Sequence, residues 1–185
     1  MAAGRASGIS SVSMYLSLPI VKRVATPMNG GYYGRVMIDT RQLSVLFVCT
    51  GNSCRSPMAE GLMRHLSGGR VNATSAGSSP ASRVSPAAVE VMKELGIDIS
   101  NHMPKSLRSV ADQDFDWVIT LCDSARQSCP VFSGAGGHAK QLHWSIPDPH
   151  ESADDTEELL KNYRKVRDDL ALRIRDWLDS ELGST

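Results

Sequence analysis

Residues Leu43 to Val48, LSVLFV, form an apolar run of strand length that gives way at once to the turn-rich stretch CTGNSCRSP. A short run without an alternating polar face suits a strand buried on both sides, as in the interior of a parallel sheet. A helix should follow. Pro57 suits a first helical position, Met58, Leu62 and Leu66 recur at i, i+4 and i+8, and the Ser67-Gly68-Gly69 sequence ends the segment.

The alternation continues along the chain. A second short strand is expected at Val71 to Ser75, and Ser85-Pro86 opens a helix with Val89, Met92 and Leu95 inward and Gly96 placed to cap its end. DWVITLC (116 to 122) reads as a third strand and KQLHW (140 to 144) as a fourth. Asp155 with Glu158 resembles a capping box, and Leu159, Tyr163, Val166, Leu170, Ile174 and Trp177 then repeat every three or four residues in one long closing helix. Trp117, Trp144 and Trp177 read as core anchors. Strands alternating with helices imply right-handed crossovers, so the fold class is α/β: a four-stranded parallel sheet flanked by helices on both faces. Ligands of such sheets bind at the carboxyl ends of the strands, which puts the chemistry in the loops after Val48 and Leu121. All four cysteines, Cys49, Cys54, Cys122 and Cys129, fall in or beside those two loops.

The composition narrows the function classes. With 185 residues, 41% hydrophobic and 22% charged, the chain has the make-up of one soluble domain. A formal net charge of zero provides no field to draw nucleic acid or an anionic membrane, and neither is expected as a partner. Four cysteines are too few to staple a secreted scaffold of this size, so a reducing compartment, the cytoplasm, is expected. Residues 1 to 42 differ in kind: rich in Ser, Gly and Ala, they carry Arg5, Lys22, Arg23, Arg35 and Arg41 against Asp39 alone. Their apolar patches are too broken for a membrane span. They read as a disordered extension or an upstream start artefact with Met37 as the natural start, a presequence-like segment being the alternative. The functional domain is expected at 43–185.

The loop after the first strand carries the sharpest chemistry. It runs from a strand end into a helix start, where backbone N–H groups are unpaired and the helix dipole is positive, so a tetrahedral oxyanion fits there. The five residues between Cys49 and Arg55 are small or polar and can wrap such an anion, so that Arg55 returns to it with a fork of donors. The same surroundings favour a reactive thiolate at Cys49. The opposing reading makes Cys49 a buried core thiol and Arg55 a surface residue.

CTGNSCRSPMAEG resembles the C-x5-R loop of the low-molecular-weight protein tyrosine phosphatase superfamily, which includes the thioredoxin-coupled arsenate reductases. The resemblance implies an oxyanion cradle of Thr50, Gly51, Asn52, Ser53, Cys54, Arg55 and Ser56. Within it Cys49 is the nucleophile, Arg55 binds the oxyanion, Asn52 holds the loop's shape and Ser56 hydrogen-bonds the thiolate; Cys54 looks structural, turned into the core. IPDPH supplies Asp148, whose Asp-Pro could be only a turn but which the resemblance makes the general acid.

Two branches of that superfamily compete. The phosphatases follow Asp-Pro with tyrosines that frame an aryl phosphate, whereas here the continuation is HESADD. TLCDSARQSCP instead matches the redox segment of the reductases, and the later His143-Trp144 and the terminal helix also look like theirs. A lone thiolate can attack arsenate but cannot complete a two-electron reduction. Cys122 would attack the Cys49 sulphur and expel arsenite, Cys129 would move the disulfide outward, and a thioredoxin-like protein would reset it. DSARQS, able to leave a helical turn, is the candidate mobile element. The expected activity is reduction of arsenate to arsenite by a monomer. The alternatives are phosphomonoester hydrolysis and a non-catalytic oxyanion-binding or thiol-sensing module. Spacings of four and six residues between cysteines, without a C-x2-C pair, suit zinc poorly, so neither a metal nor an organic cofactor is expected. Some relatives bind potassium through equivalents of Asn52, Glu60, Ser75 and a carboxylate; here Lys105 takes the carboxylate's place, and its ammonium is expected to replace the cation. His102, His138, His143 and His150 read as surface or capped residues.

Overall fold

The computed structural model describes residues 42–130, 132–134, 137–150 and 155–183. The expectation for residues 1 to 42 therefore lies, except for Gln42, outside the described residues. In chain order the elements are β1 (Leu43–Cys49), α1 (Arg55–Leu66), β2 (Val71–Gly77), α2 (Pro86–Lys93), a 3-10 turn (Leu107–Val110), β3 (Trp117–Thr120), α3 (Asp123–Ser128), β4 (Ser133–Gly134), β5 (Gly137–His138), β6 (Lys140–His143) and α4 (Thr156–Leu182).

Four of the strands form a parallel sheet in the order β2-β1-β3-β6, while β4 and β5 make a small antiparallel ribbon. β1 lies inside the sheet, and Val45, Leu46, Phe47 and Val48 are all fully buried, as the absence of a polar face requires. The register sets Cys49 beside Gly77, Val48 beside Thr120 and Thr120 beside His143. The carboxyl ends of the strands thus share one rim, and the loops that leave it build the site.

α4 packs against α1 and α2 through Tyr163, Val166, Leu170, Ile174 and Trp177, the stripe expected from its spacing. Its start is capped as Asp155 and Glu158 suggested: the Asp155 carboxylate accepts from the Glu158 N–H at 2.9 Å, which stabilises the helix by about 1 kcal/mol.

Three expectations are corrected. α2 turns Ala87, Ala88, Val91 and Met92 inward, and Leu95 is 44% exposed. The helix ends at Lys93, so Leu95 sits in a turn where helical periodicity no longer applies, and Gly96 closes that turn with φ of +72°. β3 is shorter than expected, ending at Thr120: Leu121 still donates its N–H to the Val48 carbonyl at 2.8 Å, but Cys122 turns away as the N-cap of α3. Trp117 is only half-buried: it meets Trp177 edge-on at 5.7 Å and carries the Lys140 ammonium 4.7 Å above its ring.

Candidate active site

The loop from Thr50 to Cys54 joins β1 to α1 and needs a sharp reversal. Asn52 makes it with φ of +46°, a left-handed conformation that asparagine tolerates better than most residues. Its fully buried side chain organises what lies below. Asn52 Nδ2 donates to Ser56 Oγ and Ser75 Oγ, both at 2.9 Å, and its Oδ1 accepts the Lys105 backbone N–H at 2.7 Å. The Ser75 hydroxyl in turn donates to Glu60 Oε2 at 2.6 Å.

This chain of bonds gives the Ser56 hydroxyl a direction. Its oxygen already accepts from Asn52, so its proton is free to donate to Cys49 Sγ, 3.0 Å away. A donor held at that sulphur stabilises it as an anion. Gly77, beside Cys49 in the register, leaves the loop room: a Cβ there would stand 2.6 Å from the Thr50 carbonyl and 2.9 Å from the Asn52 nitrogen.

Glu60 is a buried carboxylate with cationic company. Arg64 reaches it at 2.7 Å, Lys105 at 3.9 Å, and His102 Nδ1 lies 3.6 Å away. The position expected for Lys105 holds, but His102 lies closer in than a surface residue. Its Nε2 is 3.4 Å from both Ser75 Oγ and Asn52 Oδ1. Burial, helped by the Lys105 and Arg64 charges and opposed by Glu60, holds the His102 pKa below its ordinary value.

Above the loop opens a cavity of about 540 Å³ lined by Cys49, Thr50, Gly51, Ser53, Cys54, Arg55, Cys122 and Asp148 among others. Of the expected cradle, Asn52 and Ser56 lie beneath it as its supports, both fully buried. Arg55 is 8% exposed; its Nη2 donates to Asp148 Oδ2 at 2.9 Å and its Nη1 to the Ile146 carbonyl at 3.1 Å. Burial alone would loosen the guanidinium proton, but Cys54, Asp148, Cys122 and Cys49 around it keep its pKa above the ordinary arginine value. Arg55 Nε is buried without a hydrogen-bond partner among the described residues, so the arginine retains a donor beyond those Asp148 and Ile146 use.

The four cysteines differ. Cys54 is buried, and desolvation above all, with the Cys49 charge, pushes its thiol up to about 11, which suits a structural role. Cys122 lines the cavity and N-caps α3, its Sγ 3.4 Å from Thr50 Oγ1. Cys129 lies at the other end of α3, half-buried and outside the cavity lining, and burial pushes its thiol up to about 11 as well.

Two site residues escaped the sequence reading. His150 lines the cavity and donates its backbone N–H to Asp148 Oδ1 at 3.0 Å. Its Nε2 lies 2.7 Å from the Tyr163 hydroxyl, which donates to Ser85 Oγ at 2.9 Å. Burial above all pushes the Tyr163 phenol pKa up and keeps it a donor. The Ser85 N–H donates to the Ser53 carbonyl at 2.8 Å, so α4, the Asp148 loop and the Thr50–Cys54 loop are tied together. Tyr163 looked like one more member of a helical stripe; only His150, two residues past Asp148, could have been suspected from position.

A family model described as low molecular weight phosphotyrosine protein phosphatase matches residues 44–184. The chain is 37% identical over 137 residues to arsenate reductase 2 of Staphylococcus saprophyticus, covering 74% of this chain and 97% of that protein. Among solved structures, the thioredoxin-dependent arsenate reductase of Corynebacterium glutamicum aligns with a TM-score of 0.60 and 29% identity over 77% of this chain and 63% of that one. The low molecular weight protein tyrosine phosphatase of T. tengcongensis aligns with a TM-score of 0.61 and 34% identity, covering 75% and 99%.

Proposed function

This chain belongs to the low-molecular-weight phosphotyrosine protein phosphatase family, and from that premise we propose that it reduces arsenate to arsenite by a relay of Cys49, Cys122 and Cys129. The observation that carries the reading is the second thiol: Cys122 lines the same cavity as Cys49, at the strand rim where a phosphatase would need none.

Arsenate enters the cavity as an oxyanion. The unpaired N–H groups at the start of α1 and the Arg55 guanidinium hold it, with Arg55 Nε already lacking a partner. As Arg55 turns to the anion it loosens its 2.9 Å pair with Asp148, and that carboxylate, having taken up the proton that the Cys49 thiol gives up, passes it to the departing arsenate hydroxyl. The Cys49 thiolate attacks arsenic and expels that oxygen as water, forming a Cys49–arsenic bond. Cys122 then attacks the Cys49 sulphur. The sulphur–arsenic bond breaks, its electron pair stays on arsenic, and arsenite leaves with a Cys49–Cys122 disulfide behind it. Cys129 attacks the Cys122 sulphur and frees Cys49; a thioredoxin-like dithiol protein reduces the Cys122–Cys129 bridge.

The last exchange requires movement. Cys122 and Cys129 flank the ends of α3, and seven residues at helical rise stand about 10 Å apart, whereas a disulfide needs Cα atoms within about 7 Å. α3 must therefore unwind or bend, and at six residues it has little helical stability of its own to lose.

A single turnover tests the scheme. Fully reduced protein mixed anaerobically with arsenate should release one arsenite per chain, and alkylation followed by mass spectrometry should find Cys122 bridged to Cys129. Four free thiols and no arsenite would instead favour phosphomonoester hydrolysis, which the same anion cradle supports. The domain proposed for this chemistry is 43–185, acting in the cytoplasm as a monomer. Among the described residues no helix is long and apolar enough to cross a membrane.

Arg64 and Lys105 together balance the Glu60 carboxylate. Turnover is accordingly expected to change less than twofold when potassium replaces sodium at constant ionic strength. A several-fold stimulation would show that a cation still enters beside Glu60.

A further inference from the structure

One side chain at the strand rim touches the redox helix and has no part in the relay. His143 ends β6, in register with Thr120 at the end of β3. Its ring, 19% exposed, bridges two neighbours: Nδ1 lies 2.8 Å from Thr120 Oγ1, and Nε2 lies 3.1 Å from Asp123 Oδ1. Asp123 is the first residue of α3, directly follows Cys122 and lines the cavity.

The bonding defines the ring's proton. An ionised carboxylate only accepts, so Nε2 carries the hydrogen given to Asp123. Nδ1 then accepts the Thr120 hydroxyl proton when the ring is neutral, or donates to that oxygen when it is charged. The bridge therefore survives in either state of the ring. It matters because Cys122, as N-cap, makes no side-chain capping bond, and a helix of six residues cannot hold its own first turn.

We propose that His143 is a positioning residue for the second thiol: through Asp123 it fixes the first turn of α3 so that Cys122 faces Cys49, and thereby sets the rate of arsenite expulsion. Its N–H also offsets the Asp123 charge, one residue from the sulphur that must attack as an anion. The inference rests on Cys122 being the attacking thiol.

The test uses the full reduced chain with His143→Ala, His143→Gln, Asp123→Ala and the double alanine variant. Three rates are compared: arsenite release in a single turnover, alkylation of Cys49 by iodoacetamide, and amide hydrogen exchange across residues 123–128. His143→Ala should slow release at least tenfold, leave Cys49 alkylation within twofold, and speed exchange of the Arg126 amide, which donates to the Cys122 carbonyl at 3.0 Å, about tenfold. His143→Gln should recover most of the loss, since its amide can still donate to Asp123. The double variant should be no slower than either single one, the mark of one shared interaction. Unchanged release and exchange, additive losses, or an equal change at Cys49 would overturn the proposal. If the wild-type chain released no arsenite, the thiol relay would have failed; exchange in α3 would then decide the positioning role, lost protection in His143→Ala supporting it and unchanged protection rejecting it.

Discussion

Replacing Cys49 with serine should lower arsenate reduction, and any phosphatase activity that shares the cradle, by at least about four orders of magnitude. The geometry explains why the hydroxyl cannot substitute. Cys49 Sγ is paired with the Ser56 hydroxyl, whose oxygen accepts from Asn52 and whose proton is thereby directed at the sulphur. This arrangement stabilises an anion already formed but takes no proton away. Attack needs the anion itself, which a thiol is acidic enough to supply without a neighbouring base, whereas a serine hydroxyl needs one. The loss should therefore appear in kcat, with oxyanion binding preserved, because Arg55 and the loop amides are untouched. Binding can be read from phosphate protection against thermal unfolding. More than about one per cent residual turnover would mean that another group is the nucleophile.

Cys129→Ser should separate the chemical steps from recycling. The variant keeps Cys49 and Cys122 in the cavity, so one arsenite per chain should be released at a rate within about twofold of wild type, ending in a Cys49–Cys122 disulfide. Sustained turnover with a thioredoxin-like reductant should fall by about 100-fold or more, since that disulfide lies within the cavity rather than outside it. Cys129 itself is half-buried, with its thiol pushed up to about 11 by burial, so it is a poor nucleophile until α3 rearranges. That sequence of events suits a thiol needed last. Normal cycling of the Cys129→Ser protein would remove Cys129 from the scheme and leave a two-cysteine exchange.

The parts of the site that sequence made visible are those built by consecutive residues. Cys49 to Ser56 lie between a strand and a helix whose ends are written in local pattern, and the structure brings Cys49 and Arg55 to the cavity with Asn52 and Ser56 beneath it. Cys122 and Cys129 could be placed because their loop follows a recognisable strand. Periodicity found the buried stripe of α4 but misjudged α2, where the helix stops before Leu95 and the final turn points that side chain outward. His102 looked like a surface residue because nothing nearby in the chain needs it. It is placed by Ser75, Asn52 and Glu60, 27, 50 and 42 positions away.

The α/β alternation, the loop between β1 and α1 that holds Cys49 and Arg55, and the positions of the other thiols were legible in the chain alone, since each depends on backbone conformation and spacing within a few residues. How those pieces are poised depends on contacts between distant parts of the chain. Arg55 meets Asp148 across 93 positions, Thr50 meets Cys122 across 72, Tyr163 reaches Ser85 across 78, and His143 reaches back to Asp123 across 20. The physical reason is the parallel sheet: its register carries the ends of distant strands to one rim, and hydrogen bonds between side chains that meet there have no signature in local pattern.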